Sequence, residues 1–279
     1  MIRVFGGGIV WAGLGLCVAL PYLSLFAVSF ATSDGATLDW TFTLASYARA
    51  LQDAVVWQVL ATTVAMCLAV AAIATGLALP VAVFIAHCDP GRRALWLILV
   101  AAPLLLSYVL KIYAFRAILG GKGVLNAALL GAGVITSPLQ WFVFSLPAVL
   151  LVQTVLFIPF AVFPILIALD RIPASLREAA SDLSARPARI FRSIILPLAR
   201  PGIVSAFAFT FLMALGDFLT PQMVGGPNGF TFSRMIYSQF GLAFNWPFGA
   251  VLGLMLAGVA GVILALAFWL GQVRGAWAR

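Results

Sequence analysis

Between Asp170 and Ile203 the chain reads DRIPASLREAASDLSARPARIFRSIILPLARPGI, which gathers six arginines and three acids in a sequence where charged residues make up only 9% of the total. Residues of these types in this order support recognition rather than bond making. Leu176, Ala179, Ala180 and Leu183 recur at i, i+3, i+4 and i+7, laying a narrow apolar stripe along a short helix flanked by Arg177, Glu178, Ser181 and Asp182. Two readings fit. One is a solvated, arginine-rich loop on the cytoplasmic side. The other is a docking face, because Ala179-Ala180 beside Glu178 is a poor membrane anchor but allows a partner surface to come close.

A second isolated acid, Asp217, falls about fifteen residues into an apolar run, roughly 22 Å from its cytoplasmic end at about 1.5 Å per residue. A carboxylate near the centre of a bilayer costs on the order of 2.5–3.5 kcal/mol and normally faces a cavity or a partner. Three surroundings are compatible with it: a cationic ligand, an internal ion pair with Lys111 or Arg116, or exposure at the membrane interface. Tyr108, Tyr113, Phe115 and Phe218 would each offer a passing ammonium about 0.5–2 kcal/mol of cation–π attraction. Aromatic residues near span ends are also interfacial anchors. Lys111 and Arg116 count against a purely cation-selective lining unless they pair with acids or face a docked protein.

No catalytic constellation stands out. There is one histidine, and neither a zinc-protease HExxH pattern nor a GxSxG nucleophile elbow is present. Gly120-Gly121-Lys122-Gly123 invites comparison with a phosphate loop, but Arg116 stands where the first glycine belongs and Gly123 where Ser or Thr would bind magnesium. Cys17, Cys67 and Cys88 have no paired spacing, and His87-Cys88 is an isolated pair, so neither a disulfide framework nor a metal site is expected. ATP-driven work would have to be powered by a partner.

These residues are carried by long apolar runs. The chain is 64% hydrophobic with a net charge of +8. Runs of about 20 apolar residues span hydrocarbon, so the basic residues read as orientation signals rather than as nucleic-acid contacts. Six spans are expected in a single membrane domain over residues 1–279: about 4–30, 56–86, 95–119, 141–169, 202–219 and 248–273, with a loop at 170–201. The first run exceeds the h-region of a cleaved signal, about 7–15 residues, and reads as a retained span. Eleven of the sixteen basic residues then lie inside with both termini cytoplasmic. In the loop, Pro173 starts one short helix, and a second runs from Pro187 to about Leu196, ended by Pro197. Gly120 to Gln140 reads as an irregular outside segment and Thr220 to Pro247 as an outside loop. Gly249, Gly253, Ala257, Gly261 and Ala265 repeat at i+4 and form a small-residue face, for packing within the chain or against another subunit.

Glu178-Ala179-Ala180, then Ser184-Ala185, Phe191, Leu196-Pro197 and Pro201-Gly202-Ile203, resemble the EAA loop of the inner-membrane permease subunits of binding-protein-dependent ABC importers. The order and spacing agree over about thirty residues of this sequence. The resemblance implies an all-α membrane protein of the type I ABC importer permease fold. The loop between spans four and five would be a cytoplasmic coupling helix, with Glu178, Ala179, Ala180, Asp182, Leu183, Ser184 and Ala185 facing an ATP-binding subunit. It further implies a sister permease, two copies of that ATP-binding subunit, a periplasmic substrate-binding protein and a bacterial inner membrane. No cofactor is implied in this chain, ATP and magnesium belonging to the partner. The family usually has glycine where Ser184 stands, so the turn is either reached at negative φ or is modestly strained. A second resemblance runs through Ser107-Tyr108 to Lys111, Tyr113-Ala114-Phe115, Gly123 to Leu129, Gly216-Asp217-Phe218-Leu219-Thr220-Pro221, Gly225-Gly226-Pro227 and Asn245 to Ala250. It is to the spermidine/putrescine permeases of the PotB type, and implies polyamine import. Relatives for other organic cations, opines and metal ions share much of it, so another cargo of the same importer class stays open, as does an ATP-independent transporter.

Overall fold

The computed structural model describes residues 15–271 apart from 18, 36 and 140–143. The expected start of span one before residue 15, the start of span four at Trp141 and the end of span six beyond residue 271 lie outside the described residues. Helices dominate: a short apolar helix α1 (Gly15–Val28), then α2 (Ala45–Gln52), α3 (Ala54–Ala86), α4 (Pro90–Leu105), α5 (Tyr108–Leu119), α6 (Val124–Gly131), α7 (Leu146–Asp170), α8 (Ala174–Asp182), α9 (Pro187–Ile190), α10 (Leu196–Gly216), α11 (Phe232–Gly241) and α12 (Trp246–Gly271). Four of the described helical stretches are long and apolar enough to cross a membrane, and the bent pair of α4 with Tyr108–Gly131 makes up to five.

The chain divides into two compact units, one of residues to Leu60 with Phe232–Val259, the other of Ala61–Thr231 with the residues from Ala260. In the first, strands β1 (Thr32–Asp34) and β2 (Thr37–Asp39) form an antiparallel hairpin in which Thr32 faces Asp39 and Asp34 faces Thr37. Phe30 stacks on Phe42 at 4.7 Å, the Ser29 and Tyr47 hydroxyls meet at 2.7 Å, and Arg49 covers the Phe248 ring at 4.5 Å. Gly249 abuts Phe240, and Gly253 abuts Leu25. Those two glycines of the small-residue face therefore pack within the chain, whereas Ala257, Gly261 and Ala265 are exposed.

In the second unit α7 is the central element. Ala161, Val162, Ile165 and Leu166 are buried against Ala78, Ala82 and Ile85 of α3 and Ala199 and Ala206 of α10. A Cβ on Gly202 would lie 2.3 Å from the Ala168 Cβ and 2.7 Å from the Pro164 carbonyl oxygen, so only glycine permits this approach of α10 to α7.

Three expectations are corrected here. Span three is broken: α4 and the helical stretch Tyr108–Gly131, which begins with α5, meet at 90° across Leu106 and Ser107. Pro103, in the last turn of α4, removes one backbone donor, and Lys111 Nζ donates to the Pro103 carbonyl at 3.1 Å. Pro197 does not end the helix begun at Pro187. A π-type turn at Phe191–Ile195 joins α9 to α10, giving one 30-residue helical stretch to Gly216; the wider turn admits prolines that an ideal α-helix would reject. The segments expected to lie outside are also more ordered than expected. Residues 124–131 form α6, and Asn126 is buried, donating to the Gly120 carbonyl at 3.1 Å and accepting from Leu139 N–H at 2.9 Å. A Cβ on Gly123 would lie 2.5 Å from the carbonyl oxygens of Ala117 and Ile118, so that glycine serves a tight helix-to-helix turn.

Candidate functional site

The expected docking face sits on α8. A proline at its N-cap starts the helix, and the C-terminus closes in a Schellman arrangement: Ala185 N–H donates to the Ala180 carbonyl at 3.1 Å and Ser184 N–H to that of Ser181 at 2.8 Å. Ser184 carries φ of +58°. Of the two alternatives, the strained one holds: a serine occupies the left-handed position that glycine takes without penalty. No residue of α8 is buried. Glu178, Ala179, Asp182 and Ser184 are exposed, Ala180 and Ala185 half-buried, and Leu183 is 84% exposed. The apolar stripe of Leu176, Ala179, Ala180 and Leu183 is thus left largely uncovered beside the Glu178 carboxylate.

Asp217 lies elsewhere and in the opposite condition. Helix α10 ends at Gly216, so Asp217 is its C-cap rather than part of a span to Leu219. It is only 9% exposed. Oδ1 accepts from the N–H groups of Leu219 and Thr220 at 3.0 and 3.1 Å, which starts the π-type turn Pro221–Gly225. Oδ2 accepts from the Tyr108 hydroxyl at 2.6 Å and from Gln153 Nε2 at 3.0 Å. The break between α4 and α5 brings Tyr108 to this carboxylate; its hydroxyl also meets that of Thr220 at 2.9 Å. Lys111 and Arg116, the candidate ion-pair partners, have other neighbours. Lys111 Nζ sits 5.7 Å from the centre of the Tyr108 ring, and Arg116 5.9 Å from that of Phe144.

Asp217, Tyr108 and Phe218 line one cavity of about 380 Å³ with Phe157, Leu212 and Met213. Tyr113 is 53% exposed and, like half-buried Phe115, is not part of that lining. The chain past Asp217 is no open loop: Thr220, Pro221, Val224 and Gly225 are buried, and a Cβ on Gly225 would approach Val149 of α7 to 2.9 Å. Gly226 has φ of +58° and ψ of −151°, a conformation essentially reserved for glycine, with the Phe144 Cβ 2.5 Å from where its own would be.

Sequence reasoning missed Gln153 and Phe157. Gln153 is fully buried in α7, and its Oε1 has no hydrogen-bond partner. A signal was present, since a lone amide inside the run LPAVLLVQTVLF is costly in hydrocarbon and calls for a polar partner.

The family model described as "Binding-protein-dependent transport system inner membrane component" matches residues 73–273. The inner membrane ABC transporter permease protein YdcU of Escherichia coli (strain K12) is 35% identical, over 96% of this chain and 87% of that protein. The spermidine/putrescine transport system permease protein PotB of Salmonella typhimurium (strain LT2) is also 35% identical, over 92% and 88%. Among solved structures, a bacterial ABC transporter involved in import of the acidic polysaccharide alginate superposes with a TM-score of 0.78 at 17% identity, covering 96% of this chain and 95% of that one. That likeness carries the fold alone, which is the all-helical type I importer arrangement. The chain belongs to the inner-membrane permease components of binding-protein-dependent ABC importers.

Proposed function

We propose that this permease carries polyamines, of the spermidine and putrescine class, from periplasm to cytoplasm. The observation that supports it most is the joining of two independent facts. The PotB relatives match over nearly the whole chain, and a buried carboxylate faces a cavity walled by Tyr108, Phe157 and Phe218. A polyammonium chain is long, cationic and partly apolar. A carboxylate and aromatic faces match both characters, the rings contributing about 0.5–2 kcal/mol each.

In this reading α8 is the coupling helix. Glu178, Ala179, Ala180, Asp182, Leu183, Ser184 and Ala185 seat in an ATP-binding subunit, present in two copies, that holds ATP and magnesium. A sister permease completes the pathway, a periplasmic substrate-binding protein delivers the cargo at the outer loops, and both termini face the cytoplasm. ATP binding draws the two ATPase subunits together, and α8 passes that motion to α7 and α10, shifting a two-state membrane arrangement. Asp217, Tyr108 and Phe218 lie on the substrate path; Tyr113 and Phe115 are assigned to the surface next to it. No residue of this chain performs bond chemistry.

A second reading keeps the importer and changes the cargo to another organic cation or an opine. YdcU, as similar as PotB, motivates it, because its name specifies no cargo. Uptake of radiolabelled spermidine into proteoliposomes holding the assembled importer decides between them. Saturable uptake that unlabelled putrescine competes supports the polyamine reading; ATP-dependent uptake of an opine with no spermidine uptake would overturn it.

A further inference from the structure

His87 follows the cytoplasmic end of α3 and touches α8. Its Nδ1 lies 2.7 Å from the Val83 carbonyl oxygen, and its Nε2 lies 3.2 Å from Nη1 of Arg177. A carbonyl can only accept and a guanidinium can only donate, so the two contacts together define the ring. Nδ1 carries the proton and donates to Val83; Nε2 is bare and accepts from Arg177. The contact requires a neutral imidazole.

Arg177 precedes Glu178 on a helix with no buried residue. Its bond to His87 links that helix to the end of a membrane span. The other charged groups facing this place are Arg93 of α4 and Asp170 of α7, which line one cavity of about 380 Å³ with His87 and Arg177 and are paired with each other. Asp89 stands at the N-cap of α4. Because Arg93 already engages the Asp170 carboxylate, a proton arriving on Nε2 meets the Arg177 guanidinium. Two cations at that spacing repel. The ring keeps its bond to Val83, where a helix C-terminus favours positive charge, and lets Arg177 go.

We infer that His87 is a positioning residue for the coupling helix, holding Arg177 only while its imidazole is neutral, so that acidification of the cytoplasm loosens α8. The inference rests on the reading of α8 as the coupling helix for its consequence, but the tie can be measured without it.

The test is hydrogen–deuterium exchange of residues 174–182 in the complete importer, at about pH 7.5 and pH 5.5. The native complex is compared with His87→Gln, which keeps an acceptor but cannot titrate, and with His87→Lys, which is permanently charged. Each comparison is made at a single pH, so intrinsic exchange rates cancel. At the higher pH the native chain and His87→Gln are expected to exchange alike, with His87→Lys about threefold faster. At the lower pH the native chain is expected to rise about threefold above His87→Gln and to match His87→Lys. A native-to-Gln ratio that is the same at both pH values overturns the inference. The readout reports mobility of α8 whether or not α8 transmits work, so a failed coupling role, tested through Glu178, would be recognised separately.

Discussion

Glu178 and Asp217 are two of eight acids in the chain, yet their surroundings are opposite. Asp217 is buried and accepts from two backbone N–H groups, a tyrosine hydroxyl and a glutamine amide contributed by three separate helical regions. Glu178 is exposed on a helix that buries nothing, and its side chain makes no hydrogen bond or ion pair among the described residues. One carboxylate is organised by its own chain; the other is left to solvent and, in the proposed reading, to an ATP-binding subunit. An acid inside a membrane protein thus marks a site in two ways, by the donors that converge on it or by their absence where solvent and a partner can reach.

The largest expected effect that bears on this contrast is at Asp217. Asp217→Leu strands the Tyr108 hydroxyl, the Gln153 amide and two N–H groups, and should cost about 3–5 kcal/mol. Thermal unfolding of the purified importer checks this; native-like stability would mean that the carboxylate does not organise its surroundings. Asp217→Asn sharpens the point, since it keeps the acceptor for Leu219 and Thr220 N–H. The complex should assemble while spermidine transport falls, which separates the structural part of the carboxylate from its charge. Gly226→Ala should cost about 2 kcal/mol, because alanine does not tolerate that φ and ψ and its Cβ would strike Phe144. At α8 the sign reverses. Ser184→Gly should stabilise the end of the helix by about 0.5–1 kcal/mol, read as slower hydrogen exchange at 179–185.

The reach of sequence reasoning follows the same division. Helix α8 was legible because its information is local: a proline start, an i, i+3, i+4, i+7 stripe and a motif of fixed spacing. The conformation of Ser184 was not, since either sign of φ could be written for serine until the Ala185 to Ala180 bond was seen. Apolar runs marked membrane-crossing helices, but the 90° break after Leu105 depends on what receives α5, and Pro103 and Ser107, which suit a merely kinked span as well, do not fix its angle. Proline misled in the other direction at Pro197, where a π-type turn made room. Tyr108 was named beside Asp217 for the same path, but its hydrogen bond and the part of Gln153 stayed hidden, because both are brought to the carboxylate by tertiary packing across more than sixty residues of chain. The buried turn at 221–225 looked like an outside loop for the same reason: its glycines and proline suit a tight packed turn as well as an exposed one.

The most direct test of the account is Glu178→Lys in the assembled importer, with spermidine uptake and ATP hydrolysis measured on the same proteoliposomes. Because the exposed Glu178 side chain makes no hydrogen bond or ion pair among the described residues, thermal stability should stay within about 0.5 kcal/mol of native. Spermidine moved per ATP should fall at least about tenfold, the loss expected when a charged contact at the centre of an interface is reversed. Uptake per ATP equal to that of the native importer would contradict the claim that borrowed energy enters this permease through α8.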